Sequence, residues 1–184
     1  CFDACHQAVQ GEELALSLRR LREAGVPVGK MHLSAALRLE RPADHPEAVK
    51  RLAGFVEPRY LHQVIGRGRG RIRRAPDLDE VLGSSLESWL ALDRWDVHFH
   101  VPIFADALPG LQTTRGDLLE ALREAVRLDP LPHFEIETYT WGVLPPSVRE
   151  ELWAEEAVGG IEREFRWVLD QFRRLSSPPG SSVS

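Results

Sequence analysis

The strongest constraint on this chain is the distance between its first two alternating segments. In residues 1–5, Cys1, Asp3 and Cys5 alternate with Phe2 and Ala4, and in residues 30–34 Lys30, His32 and Ser34 alternate with Met31 and Leu33. Period two is the pattern of strands. Between them Leu14, Leu18 and Leu21 recur at helical spacing, Glu12 and Glu13 favour a helix start and Gly25 favours its end. A connection of that length with a helix in it excludes a hairpin, so the two strands are predicted to pair in parallel through a crossover. His6 is expected in the loop after the first strand.

The strand and helix unit recurs. Asp44 and Glu47 resemble a capping box and open a predicted helix that runs to about Gly54. Residues 59–64 (RYLHQV) and 71–74 (RIRR) flank the Gly-rich turn GRGRG and predict an inserted β-hairpin. From Asp77 onward Leu78, Val81, Leu82, Leu86, Trp89 and Leu90 predict one helix. WDVHFHVPIF then reads as a third parallel strand, with Val97, Phe99 and Val101 on one face and Asp96, His98 and His100 on the other. Thr114 and Asp117 cap a predicted helix with Leu118, Leu119, Leu122 and Val126 buried. HFEIET is the fourth parallel strand: Phe134 and Ile136 face one way, His133, Glu135 and Glu137 the other, and Glu137 stands at its carboxyl end. Ser147 and Glu150 open a last helical region to about Leu175, which Gly159 and Gly160 can divide.

Four parallel strands with crossover helices and an inserted hairpin predict an α/β fold, the C-terminal half of a (β/α)8 TIM barrel over residues 1–175, followed by a disordered tail over 176–184. A whole barrel takes about 250 residues. Because the chain opens on CFDACH, inside a predicted element, the first half of the barrel is expected to belong to a longer protein.

With 43% hydrophobic residues in 184, the chain can bury a sizeable core. Its net charge of -5 argues against a protein-wide nucleic-acid surface. Only the hairpin run with Arg67, Arg69, Arg71, Arg73 and Arg74 is locally basic, either a solvated turn or a place for a phosphate or nucleic-acid backbone. Cys1 and Cys5 are too close to suggest a disulfide framework, and neither a secretory segment nor a long apolar span is present. The expectation is a cytoplasmic protein with no membrane span.

The predicted strand ends carry Asp3 and His6, His32, His98 and His100, and Glu137, all ligand types for a divalent metal. Imidazole mixed with carboxylate suits Zn, Mn or Fe better than Ca or Mg. Such an ion can polarise a sugar carbonyl or hydroxyl, with Glu137 or a strand-end histidine such as His100 moving the proton. Each residue alone has a plainer reading, His32 as a hydrogen-bonded interior histidine and Asp3 as a cap. Glu135 and Asp96 are available to orient a ligand histidine from behind. Lys30 shares the face of His32 and is a candidate substrate-binding group, for a phosphate or, less favoured, as a Schiff-base amine. His62 is expected to be an ordinary histidine.

These residues resemble the later part of the xylose-isomerase-like superfamily, which includes sugar phosphate isomerases and epimerases and endonuclease IV. FDACH is similar to its strand-ending Asp with His three residues on, KMHL to its next metal histidine, and IET to its last glutamate. Over residues 1–150 the runs FDACHQAV, GKMHLSAAL, EPRYLHQV, VHFHVPIF and EIETYTWGVLP resemble the EboE family of metabolite traffic proteins. The resemblance implies a role in a bacterial secondary-metabolite pathway, acting on a small metabolite, with other proteins of that pathway as partners. It implies Asp3, His6, His32 and Glu137 as ligands, with His98 and His100 as further ligands or acid/base groups. Two departures stand out: Leu33, Ser34 and Ala35 follow His32 where the superfamily often has an Asp, and His98-Phe99-His100 stands where endonuclease IV has Asp then His. Isomerisation or epimerisation at a metal is one expected function. A binding component without turnover is another, and DNA repair a third that the net charge disfavours.

Overall fold

The computed structural model describes residues 1–83, 86–108, 110–152 and 157–176. Strand β1 is only Phe2–Asp3, and helix α1, Ala4–Gln10, starts at once. The predicted strand over 1–5 stops short because Asp3 acts as a helix cap. Its Oδ1 accepts the His6 N–H at 2.9 Å, and Gly11 closes the helix with φ 80. Cys5 and His6 therefore stand on the first turn of a helix, not on a strand and a loop.

Helix α2, Leu14–Glu23, buries Leu14 and Leu18 and leads to β2, Lys30–Leu33. After Ser34 the chain stays extended as β3, Ala35–Glu40, where the sequence reading has a loop. Helix α3 is Pro46–Leu52. An inserted hairpin is present, but its first strand is shifted: β4 is Val64–Gly68, which takes in most of the predicted turn and leaves residues 59–63 outside any strand, and β5 is Arg71–Ala75. Its turn is just Arg69 and Gly70, with φ 51 and 72. Gly66 serves packing, since a Cβ there would lie 2.4 Å from Leu92 and 2.7 Å from Trp89.

The helix predicted from residue 77 is two short ones, α4, Leu78–Leu82, capped by Asp77, and α5, Leu86–Leu90. Then come β6, Arg94–Val101, β7, Ala107–Leu108, β8, Leu111–Thr113, α6, Arg115–Ala125, and β9, His133–Ile136. A 3-10 turn over Tyr139–Gly142 precedes α7, Pro146–Glu151, and α8, Ala157–Ser176. Gly159 and Gly160 do not break α8. Gly160 lets the ring of Trp141 approach to where a Cβ would be 2.4 Å away. The tail predicted to be disordered, apart from Ser176 at the end of α8, lies outside the described residues.

Among the described residues the strands form two sheets. One is parallel, in the order β1-β2-β9, with Asp3 opposite His32 and His32 opposite Glu135. The other is antiparallel, in the order β5-β4-β6-β3-β8-β7. The expected half of a TIM barrel is thereby overturned. Three of its four strands do run in parallel, but the third predicted strand, β6, lies antiparallel between β3 and β4. The reason is the unforeseen extension at residues 35–40: with a strand there, the return from residue 40 to 94 brings β6 back against it in the opposite sense.

β6 is buried on both faces. Trp95, Val97, Phe99 and Val101 fill one side, with Phe55 edge-on to Phe99 at 5.0 Å and Trp89 edge-on to Trp95 at 6.1 Å. Full burial of side chains of this size stabilises by about 1.5–3 kcal/mol each. The other side carries Asp96 and His100, both with no exposure. Among the described residues no helix is long and apolar enough to cross a membrane.

Candidate functional site

The carboxyl ends of β1, β2 and β9 meet at one corner of the parallel sheet. Register puts Asp3, His32 and Glu135 side by side on one face, and Glu137, two residues past Glu135, continues that face. The Glu137 N–H donates to the Leu33 carbonyl at 3.1 Å, which extends the ladder one residue beyond β9. His32 Nδ1 is 3.0 Å from Asp3 Oδ2 and 2.9 Å from Glu137 Oε2. A single N–H cannot point at both, and only the contact with Asp3 has hydrogen-bond geometry. Glu137 Oε2 and His32 Nε2 are left buried without a hydrogen-bond partner.

The two carboxyl groups are themselves in hydrogen-bond contact, and their affinities for protons separate. Burial, the bond with Asp3 and the negative charge of Asp3 push Glu137 up to about 7. Burial also opposes charge on Asp3, but its bonds with His6, Glu137 and His32 outweigh that and hold it well below the usual carboxylate range. The pair therefore takes up one proton, on Glu137, as pH falls through about 7. Ser34 completes the corner, its Oγ accepting the Cys5 N–H at 2.9 Å and donating to Asp3 Oδ1 at 3.2 Å.

His6 Nδ1 lies 3.1 Å from Asp3 Oδ1, and its side chain is 55% exposed. The hydrogen bond to Asp3 raises its pKa despite partial burial. On its inner side the ring lies 4.3 Å, centroid to centroid, from His98. His98 and His100, two apart on β6, bring their Nε2 atoms within 3.2 Å of each other. His100 Nδ1 donates to the Glu137 carbonyl at 2.5 Å. Burial lowers the pKa of both imidazoles, that of His98 to about 4, so both are neutral at neutral pH. Tyr139 stands 4.6 Å from the His100 ring, and burial pushes its hydroxyl up to about 12. Cys5, fully buried on α1, offers its sulfur within 4.8 Å of the His98 and His100 nitrogens.

Asp3, His6, His32, His98, His100 and Glu137 are thus gathered at one place, on three parallel strand ends, one helix turn and one antiparallel strand. Lys30 is on the same face of β2 but at its other end, held by Glu135 at 2.9 Å. Glu135 also comes to 4.0 Å from His32 Nε2. Asp96 does not support a histidine. It is buried against Arg38 at 2.7 Å, Arg67 at 2.6 Å and Arg94 at 3.1 Å, so one arginine of the basic run is turned inward. His62 is buried against Phe99, at 5.1 Å, and takes no part.

Cys5, Ser34 and Tyr139 are members that the sequence reading missed. Each lies two residues beyond an expected ligand, which is the only sequence signal for them. A separate cleft of about 510 Å³ opens beyond the far end of α1, lined among others by Gly11, Arg19, Arg38 and Asp117, and none of the expected site residues borders it. The chain matches no known protein family, no curated protein and no solved structure.

Proposed function

We propose that Asp3, His32 and Glu137 hold a divalent cation, Zn, Mn or Fe, and that a small polyhydroxy or phosphorylated metabolite is isomerised or epimerised beside it. The observation that carries this reading is the meeting of three ligand atoms from three strands within 4.8 Å, with Glu137 Oε2 buried without a hydrogen-bond partner. Metal bonds of about 2.1 Å place neighbouring ligand atoms about 3.0–3.4 Å apart, close to the separations of 2.9 and 3.0 Å here. The resemblance to the metabolite traffic family supports a substrate from a secondary-metabolite pathway.

A bound cation supplies Lewis acidity toward a carbonyl or hydroxyl oxygen. The chain's own residues do the rest. Glu137 releases its proton on cation uptake, so affinity strengthens as pH rises through about 7. His6, held by Asp3 through Nδ1 and 55% exposed, is the group we assign to carrying a proton between substrate atoms. His100, proposed from the sequence as acid/base, has both nitrogens engaged and no exposure, and it acts through the Glu137 carbonyl as a positioning residue. Lys30, 38% exposed, supplies positive charge for a phosphate near the edge of the site.

The test is metal content by elemental mass spectrometry on the chain and on its His32→Ala, Glu137→Ala double variant. The expected result is about one equivalent lost in the double variant. A wild type that stays metal-free after loading with Zn, Mn and Fe overturns the reading. If metal is bound but no proton exchange into aldose or ketose substrates is seen by NMR, the site is that of a binding component.

A further inference from the structure

We propose that Cys5, His98 and His100 form a second cation seat, adjoining the first and suited to a thiophilic divalent ion such as zinc. The seat stands on its own ligands and does not depend on the first being filled. Two zinc-bound imidazole nitrogens at about 2.0–2.1 Å and a tetrahedral angle are about 3.3 Å apart, and His98 and His100 hold their Nε2 atoms at 3.2 Å.

The hydrogen bonding around the two rings says what those atoms present to each other. His100 gives its Nδ1 proton to the Glu137 carbonyl, so its Nε2 carries a lone pair directed at His98. His98 Nε2 lies in hydrogen-bond geometry with that lone pair, so in the empty seat the His98 ring is the donor of the pair. A cation taken up there takes the place of the shared proton, with His98 passing to its other neutral tautomer so that both Nε2 atoms offer lone pairs to one ion.

Cys5 supplies the third corner. It reaches the cluster because Asp3 caps α1 and so puts residue 5 on the helix's inward face. Burial and the charges of Asp3 and Glu137 keep the free thiol protonated. Zinc entry forms a Zn–S bond and releases that proton to solvent. Three protein ligands leave the fourth position to water, as in sites with an exchangeable ligand, and of the three only His98 is partly exposed, beside the His6 ring at 4.3 Å. Thiolate with two imidazoles selects zinc over the harder ions that a carboxylate-rich triad accepts.

Cobalt(II) separates the two seats, because only a thiolate ligand gives a sulfur-to-cobalt charge-transfer band in the near ultraviolet. The parent for the test is the full chain with Cys1→Ser, which leaves Cys5 as its single thiol. The expected result is a band that saturates at about one equivalent, vanishes in Cys5→Ser and in His98→Ala, and survives in His32→Ala, Glu137→Ala. Cobalt uptake without the band, or a band unchanged by His98→Ala, overturns the proposal and leaves the first seat standing. A band that persists while the double variant binds as much cobalt as its parent overturns the first seat alone. Circular dichroism of each variant checks the fold, and the two single variants remove different ligands, so a folding failure in one does not remove the test.

Discussion

Single residues decide this molecule's chemistry through what they leave unsatisfied. Glu137 contributes twice, its side chain to His32 and Asp3 and its carbonyl to His100. Asp96 shows the opposite condition, a buried charge that is fully matched. Arg38 and Arg67 reach it with hydrogen-bond geometry, and Arg94 lies within ion-pair distance. Buried pairs of this kind are costly to break because the partner charges stay behind. Asp96→Ala should destabilise the protein by about 3–5 kcal/mol, read from the midpoint of urea unfolding, and a loss below about 1 kcal/mol would mean that the arginines find water or other acids instead. Arg38 keeps Asp117 at 2.9 Å in that variant, which places Arg67 and Arg94 at the origin of most of the loss.

Among the elements, α8 is fixed to the sheet region by one buried carboxylate. Glu164 accepts the Ile103 N–H at 3.1 Å, the Thr138 hydroxyl at 2.5 Å and the Trp141 indole N–H at 2.9 Å. Glu164→Ala strands three donors, each unmatched one costing about 1–3 kcal/mol, and thermal unfolding should show a large drop. Burial raises the pKa of Glu164 in spite of those bonds. A carboxyl group whose folded pKa is raised contributes most below its unfolded value, about 4.3, and that contribution is lost as pH climbs through the folded pKa. The melting temperature of wild type relative to Glu164→Gln should therefore fall as pH increases from about 4; a difference independent of pH would show that Glu164 titrates normally. Gly160 belongs to the same attachment, since the Trp141 ring occupies the space of a side chain there.

At the scale of the whole molecule, the site joins the two sheets. Asp3, His32 and Glu137 come from the parallel sheet, His98 and His100 from β6 of the antiparallel one, and Cys5 and His6 from α1 between them. A cation bound only by the folded chain stabilises it by about 2.7 kcal/mol at a hundredfold excess over Kd. For a domain of this size that corresponds to a rise in Tm of roughly 5–10 °C, measurable by differential scanning calorimetry with and without zinc and reversible by a chelator. A Tm unaffected by Zn, Mn and Fe would contradict ligation from both sheets.

The membership of the site was legible in the sequence to a large degree, because strand alternation and strand ends are local properties. Asp3, His32 and Glu137 lie on the polar phase of period-two segments, and His98 and His100 share a face of another, so they could be named as candidates from spacing and residue type. Cys5 was not legible, because choosing between a fifth strand residue and the first turn of a helix depends on whether Asp3 caps, and the alternation of residues 1–5 suits the strand. The direction of β6 was not legible either. Chain length between strands limits hairpins but does not fix orientation once another strand intervenes, and it is the pairing of β6 with β3, Leu37 opposite Val97, and with β4, Val64 opposite Val97, that sets its direction. Sequence determined which side chains are available at the strand ends. Tertiary structure decided which of them face one another, because pairing energy is shared among distant backbone groups and no single segment carries it.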